Sequence, residues 1–304
     1  MKEKKKKSAG VAAYYDAQAK DYSVQYQTST LTDLSREYPA NYFRLQMLLN
    51  SFVDKNIKKV VEIGVGEGTP LSTLAKAGID VWGCDIAEKM VKRSKETMRK
   101  NGLNPNHISW ADIQDATTYA ALLKAGPFDG LMAMGVMPHV EKEELVLQNM
   151  ASLVRPGGSV FIEFRNKLFS LFTFNRYTAD FILNDLLQGV DDRLKSLVAK
   201  ELESRLRMDL PPVRKVVEGT TAPGFDAILS KFHNPFEVVE MFKKYKFEDI
   251  QLRWYHYHPA PPLLAKSAPE LFRKEAVRLE HETSNWRGMF LCSAFVVEAR
   301  KSAA

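Results

Sequence analysis

The chain has 304 residues, 45% of them hydrophobic and 26% charged, which suits one large α/β domain with an insertion or two smaller domains and excludes wholesale disorder. Its formal charge of +6 is concentrated at the start, where Lys2, Lys4, Lys5, Lys6 and Lys7 are opposed only by Glu3; the near-balanced remainder speaks against a nucleic-acid footprint spread over a folded surface. No apolar run reaches the roughly 18 residues of a membrane span and no secretory apolar core is present, so a cytoplasmic protein is expected, with Cys84 and Cys292 as reduced core thiols in strand-like runs.

In chain order, the lysine run reads as a disordered, solubilising tail. Tyr14, Tyr15, Tyr22 and Tyr26 follow among polar residues, and Pro39–Val53 carries Tyr42, Phe43, Leu45, Met47, Leu48 and Phe52 at helical spacing. From Lys58 short apolar runs alternate with helical segments. The expected strands are KKVVEI, Ile79–Asp85, Ile108–Ala111, Phe128–Met134 and, after the turn Arg155–Gly158, Gly158–Phe164; Glu88–Lys100 is an expected helix. This alternation predicts a Rossmann-like, mostly parallel sheet of seven strands with helices on both faces. It then stops for about 70 residues, too long for an ordinary loop. Within that stretch helices are expected over Thr178–Leu187 and from Asp191 or Asp192 to a stop before Pro211, while Val213–Lys231 is ambiguous. Alternation resumes with a helix at Pro235–Lys244, a strand at Glu248–His256, a helix at Ala268–His281 and a strand at Met289–Glu298. The expected organisation is a basic tail and helical cap over 1–49, a ligand-binding α/β domain over 50–165 and 235–304, and a mainly helical insertion over 166–234.

The chemical signal is Glu62-Ile-Gly64-Val-Gly66-Glu-Gly68. Closely spaced glycines after a strand let the backbone turn and approach a ligand, and the next helix offers free amides. Asp85 closes the second strand 21 residues after Gly64, where a carboxylate accepts hydrogen bonds from ribose hydroxyls. The glycines alternate, unlike the G-x-G-x-x-G dinucleotide fingerprint, which favours an adenosylmethionine site.

With these residues the chain resembles the class I S-adenosylmethionine-dependent methyltransferases of the small-molecule, ubiquinone-biosynthesis-like type. Val81-Trp-Gly-Cys-Asp85 through Met90, Trp110-Ala-Asp112-Ile113, Phe128-Asp-Gly130 through His139-Val140, and Leu153-Val-Arg-Pro156-Gly-Gly158 are similar to the later motifs, in order. The resemblance implies S-adenosyl-L-methionine as cofactor. Gly64, Gly66 and Gly68 would line its methionine part, Glu62 would hold its amino group, Asp85 the ribose, and Asp112 and Ile113 the adenine, with Ile86, Met90 and Met134 also at the cofactor. The segment Tyr14-Tyr15-Asp16 with Tyr22 is similar to the amino-terminal pattern of small-molecule members, where a tyrosine closes over the cofactor, and Tyr22 is counted among the cofactor residues.

On the acceptor side His139 follows the fourth strand, at the carboxyl edge where open α/β sheets bind ligands, and is the candidate general base for a hydroxyl. Arg165, Phe172, Arg176 and His233 are the candidate acceptor contacts, and the insertion is expected as a lid or a homodimer contact. The fourth-strand region Met132–His139 lacks an Asn-Pro-Pro-Tyr type tetrapeptide, no cysteine lies there for covalent catalysis, and no cluster has metal-ligand spacing. These absences favour a hydroxyl or amine of a small metabolite, of natural-product, sugar or phenolic type. The alternatives are a nucleic-acid methyltransferase using the lysine tail and a catalytically silent partner protein of the same fold.

Overall fold

The computed structural model describes residues 2–18, 26–31 and 33–303. Seven strands form one sheet: β1 (Lys59–Ile63), β2 (Asp80–Asp85), β3 (Ile108–Trp110), β4 (Phe128–Ala133), β5 (Val154–Arg165), β6 (Phe247–Tyr257) and β7 (Cys292–Lys301). Their order is β3-β2-β1-β4-β5-β7-β6, and β7 runs antiparallel to both neighbours while the other pairs are parallel. Strand order reverses between β1 and β4, which opens a crevice at their carboxyl ends.

Eleven helices are described: α1 (Lys2–Gln18), α2 (Ala40–Asp54), α3 (Thr69–Lys76), α4 (Glu88–Lys100), α5 (Ala120–Ala125), α6 (Glu143–Leu153), α7 (Arg176–Asp180), α8 (Asp192–Arg205), α9 (Pro235–Lys244), α10 (Pro269–Leu279) and α11 (Gly288–Leu291). Val60, Met132 and Phe161 face Leu48 and Phe52 of α2, Leu71 and Leu74 of α3 and Val91 of α4. Their neighbours Val61, Leu131, Val160 and Ile162 face Val146, Leu147 and Met150 of α6 and Phe242 of α9. Burial on both faces is why the central strands read as continuous apolar runs instead of alternating ones.

Several boundaries differ from the sequence expectation for identifiable reasons. The lysine run is the opening of α1 and not an irregular tail, since no glycine or proline interrupts Lys2–Ala9. Phe128 pairs with Val154 and Gly130 with Ser159, so the expected turn Arg155–Gly158 is a bulge inside β5. The helix expected over Thr178–Leu187 is α7 followed by a π-helical stretch, Phe181–Leu186. Met289–Leu291 belongs to α11, and β7 begins only at Cys292. Residues 213–231 are largely irregular.

The chain leaves the sheet after β5 and returns beside its point of departure. The His233 amide donates to the Arg165 carbonyl (2.7 Å) and the Lys167 amide to the His233 carbonyl (2.9 Å), while the Asn166 side chain donates to the carbonyls of Met289 and Cys292. Both ends of the 166–234 excursion are therefore clipped to the carboxyl edge of the sheet. Among the described residues no helix is long and apolar enough to cross a membrane.

Gly83 in β2 shows how tightly this edge is packed. A Cβ there would overlap Val65 Cγ1 and lie 2.8 Å from the Glu62 carbonyl oxygen. Alanine suits a strand better than glycine does, yet Gly83→Ala is expected to lower stability by about 1–3 kcal/mol through overpacking; urea unfolding of the two proteins checks the sign.

Candidate functional site

The glycine turn after β1 has left-handed backbone at Gly64 (φ 78°), Gly66 (φ 54°) and Gly68 (φ 88°). Gly64 is also required sterically, because a Cβ would approach Val136 Cγ2 to 2.7 Å. Gly68 is required for a different reason: its Cβ would meet Ser94 Oγ of α4 at 2.6 Å. Gly68 thus packs helix on helix and stands apart from the cleft that Gly64 and Gly66 line.

That cleft encloses about 750 Å³, part of it open to solvent. Asp85 and Ile86 at the end of β2, Met90 on α4, and Asp112 and Ile113 after β3 form one side. Met134, Val136 and His139 after β4 form the other, and Val11 and Tyr15 of α1 cover it. The Asp85 carboxylate accepts from the Gly66 amide (2.9 Å) and the Ala87 amide (2.8 Å). Burial pushes its pKa up to about 6 despite those amides, so its remaining lone pairs are poorly solvated and available to hydroxyl donors. Asp112 accepts from the Gln114 amide at 2.9 Å.

A smaller cavity of about 250 Å³ adjoins the same glycines and is lined by Glu62, Arg44, Tyr26 and Met134. Glu62 is 2% exposed, and its Oε2 has no hydrogen-bond partner among the described residues. Burial raises its pKa well above the ordinary carboxylate range, with Arg44 opposing the shift. Arg44 is itself buried, paired with Glu163 and 3.3 Å from the Tyr26 hydroxyl. A carboxylate with an orphaned oxygen beside a guanidinium is the complement of an amino-acid zwitterion.

His139 is buried, on a short 3-10 turn, Met137–His139. Its Nδ1 lies 2.7 Å from the Leu229 carbonyl oxygen, which can only accept, so Nδ1 carries the proton and Nε2 presents a lone pair. The Tyr15 hydroxyl (3.0 Å) and Arg165 Nη2 (3.3 Å) both approach that lone pair. Burial and, second, the Arg165 charge lower the His139 pKa to about 4; the ring is neutral at pH 7.

The remaining candidates are dispersed. Arg165 joins His139, but Phe172 packs edge-on against Phe174, and Arg176 lies over the Tyr177 ring, donates to the Pro211 carbonyl and faces Asp226. His233 packs against Phe164 with Nε2 3.3 Å from Glu143, in a separate groove between α6 and α9. These three line neither cavity, so the structure does not bring them to the cleft, and Arg165 meets the cleft only through His139. Tyr22 lies outside the described residues, and Tyr15 is the described tyrosine that closes over the cleft. Among the site residues that the sequence reading did not single out, Arg44 had a signal, as a charge in register with Leu48 and Phe52 on the apolar face of α2, whereas Val11 and Val136 had none. Tyr15 was read as part of the segment expected to supply a tyrosine over the cofactor. No metal-holding group of three or more His, Cys, Asp or Glu occurs among the described residues.

Residues 60–158 match the family model described as a methyltransferase domain. Relatives named ubiquinone biosynthesis O-methyltransferase include one from Azoarcus sp., 29% identical over 150 residues, which are 49% of this chain and 62% of that protein. Another, from Coxiella burnetii, is 26% identical over 186 residues, 58% of this chain and 77% of that protein. The chain thus spans less than two thirds of the Azoarcus relative. Magnesium protoporphyrin IX methyltransferase from Synechocystis PCC 6803, solved with bound S-adenosylhomocysteine, has the same fold at a TM-score of 0.53 and 16% identity, covering 96% of this chain and 98% of that one.

Nitrogen-15 NMR of the imidazoles tests the His139 geometry. At pH 7 it should be the neutral Nδ1–H tautomer, unprotonated at Nε2 down to pH about 4. Arg165→Gln removes one of the two lowering causes and should move that titration upward.

Proposed function

We propose that this chain is a class I S-adenosylmethionine-dependent methyltransferase that transfers the methyl group to a hydroxyl oxygen of a small metabolite, with His139 receiving the proton. The observation that carries this reading is the fixed, neutral His139 ring at the cleft, held by the Leu229 carbonyl, with its Nε2 lone pair facing the Tyr15 hydroxyl that covers the cleft. Oxygen as the target is supported by the relatives named O-methyltransferase.

S-Adenosylmethionine supplies an electrophilic methyl group, and the chain's own residues do the rest. The Glu62 carboxylate and the Arg44 guanidinium would hold the amino and carboxylate groups of its methionine part, and the unpartnered Glu62 Oε2 fits that role. Asp85 would accept from both ribose hydroxyls; Asp112, Ile113, Ile86 and Met90 would enclose the adenine. Met134 stands at the junction of the two cavities. Gly64 and Gly66 leave room along the backbone, and Tyr15 excludes water from above. A hydroxyl replacing the Tyr15 hydroxyl at Nε2 would be oriented by its own hydrogen bond, and His139 would take up its proton when the hydroxyl is methylated and S-adenosylhomocysteine is left. Residues 166–234 act as the acceptor-side lid, because they supply Leu229 and Ser230 around His139 and Arg165. Residues 50–165 and 235–304 form the cofactor domain beneath it, and the helical start of the chain is its cap.

The test is product analysis with phenolic and amine acceptors, using the parent and His139→Ala. Methylated oxygen is expected, with kcat in His139→Ala lowered about 100-fold and affinity for S-adenosylhomocysteine unchanged; methylation confined to nitrogen would overturn the reading.

Asp85 predicts a separate pH effect. It must be ionised to accept two ribose hydroxyls, and its raised pKa of about 6 places the loss at that pH. As pH falls through 6, KM for S-adenosylmethionine should rise about tenfold per unit while kcat holds. Asp85→Asn should weaken binding at pH 7.5 by about 10- to 150-fold and remove the part of the pH dependence that is centred at pH 6.

A further inference from the structure

Arg165 ends β5 with its guanidinium in a fixed pose. Nη1 donates to Ser230 Oγ, Nη2 points at His139 Nε2 from 3.3 Å, and its central carbon lies 4.6 Å over the Phe225 ring. Arg214 stacks on Phe225 as well, at 4.5 Å, so two cations flank one ring. Among the described residues no carboxylate pairs with Arg165. The acids of this region are committed elsewhere: Asp226 to Arg176 and Arg214 (3.5 and 3.7 Å), Glu143 to Lys231 and His233 (2.5 and 3.3 Å), and Glu163 to Arg44. A half-buried cation without a counter-ion is costly unless a ligand provides one.

The His139 lone pair cannot serve as that partner. One imidazole nitrogen accepts one hydrogen bond well, and the Tyr15 hydroxyl is closer to it, at 3.0 Å. The guanidinium therefore keeps unused donors beside the position assigned to the reacting hydroxyl. With the hydroxyl oxygen about 2.8 Å from Nε2 and an anionic oxygen about 2.8 Å from Nη2, two nitrogens only 3.3 Å apart leave room for two oxygens that are close neighbours in one ligand.

We infer that the acceptor is a hydroxy acid whose carboxylate lies close to the hydroxyl that is methylated, and that Arg165 binds this carboxylate. The inference rests on the hydroxyl reading above. It also gives His139 a means of becoming basic when needed. The Arg165 charge is one of the two causes that disfavour its imidazolium, and a carboxylate on Arg165 offsets that charge as the hydroxyl arrives.

The test is isothermal titration of the full chain saturated with S-adenosylhomocysteine, using 2-hydroxybenzoate and its neutral isostere 2-hydroxybenzamide as probes. The parent should bind the carboxylate at least tenfold more tightly than the amide. Arg165→Gln should erase this preference and Arg165→Lys retain part of it, with affinity for S-adenosylhomocysteine the same in all three. Equal binding of the two probes, binding of neither, or a preference that survives Arg165→Gln overturns the inference. The two readings fail separately: a charge preference lost in Arg165→Gln without methylation of any hydroxyl sinks the hydroxyl reading and leaves the anion site, whereas methylation of plain phenols without a charge preference does the reverse.

Discussion

The Asp85 carboxylate is the bond on which the cleft depends. One oxygen accepts from Gly66 in the turn after β1 and the other from Ala87 just before α4, while the Gly64 and Val65 amides both donate to the Cys84 carbonyl (2.8 and 3.0 Å). The carboxyl ends of two parallel strands are thereby laced together, and the left-handed turn between them cannot relax. Amide bonds to a charged acceptor each contribute about 1.5–3 kcal/mol, yet the Asp85 pKa still rises, so desolvation outweighs them. A site in that state is completed by further donors from a ligand.

The acceptor side is held by a second, longer-range device. His139 Nδ1 reaches the Leu229 carbonyl, the Lys231 amide donates to the Pro138 carbonyl (2.9 Å), and the His233 amide donates to the Arg165 carbonyl (2.7 Å). The returning limb of the insertion is in this way stitched across the exits of β4 and β5. The tautomer of His139 is set by a residue 90 positions away, so ring orientation and the position of this limb are one variable. A loosened 229–233 segment would release the imidazole as well as uncover it.

This division explains what the amino-acid sequence made legible. Central parallel strands must be apolar on both faces, a sharp turn at a ligand must use glycine, and a ribose partner must be acidic; each demand falls on residue type at short spacing, so Gly64, Gly66 and Asp85 are readable without coordinates. The direction of a side chain on a long excursion is not such a demand. Arg176 and His233 have suitable chemistry for an acceptor, but one is spent on Tyr177, Pro211 and Asp226 and the other sits at the clip that closes the insertion. Phe172 was chosen for composition, which does not distinguish lid packing from ligand lining. Gly68 shows the same limit inside a motif, since its spacing is that of its neighbours while its constraint comes from Ser94.

Charge is distributed unevenly along the cleft, and this ties its two ends together. Glu62, Asp85 and Asp112 lie towards β1, β2 and β3, whereas His139 and Arg165, with Arg214 beyond Phe225, lie towards the insertion. A cationic ligand is favoured at the first end and an anionic one at the second, and opposite charges approaching across a partly dehydrated gap attract more strongly than in water. In the reaction proposed above, the positive charge that the cofactor brings to the first end would leave as a proton taken up by His139 at the second. Because the Arg165 charge disfavours a proton on His139, an anion bound at the second end would offset that cost at the step where it is incurred.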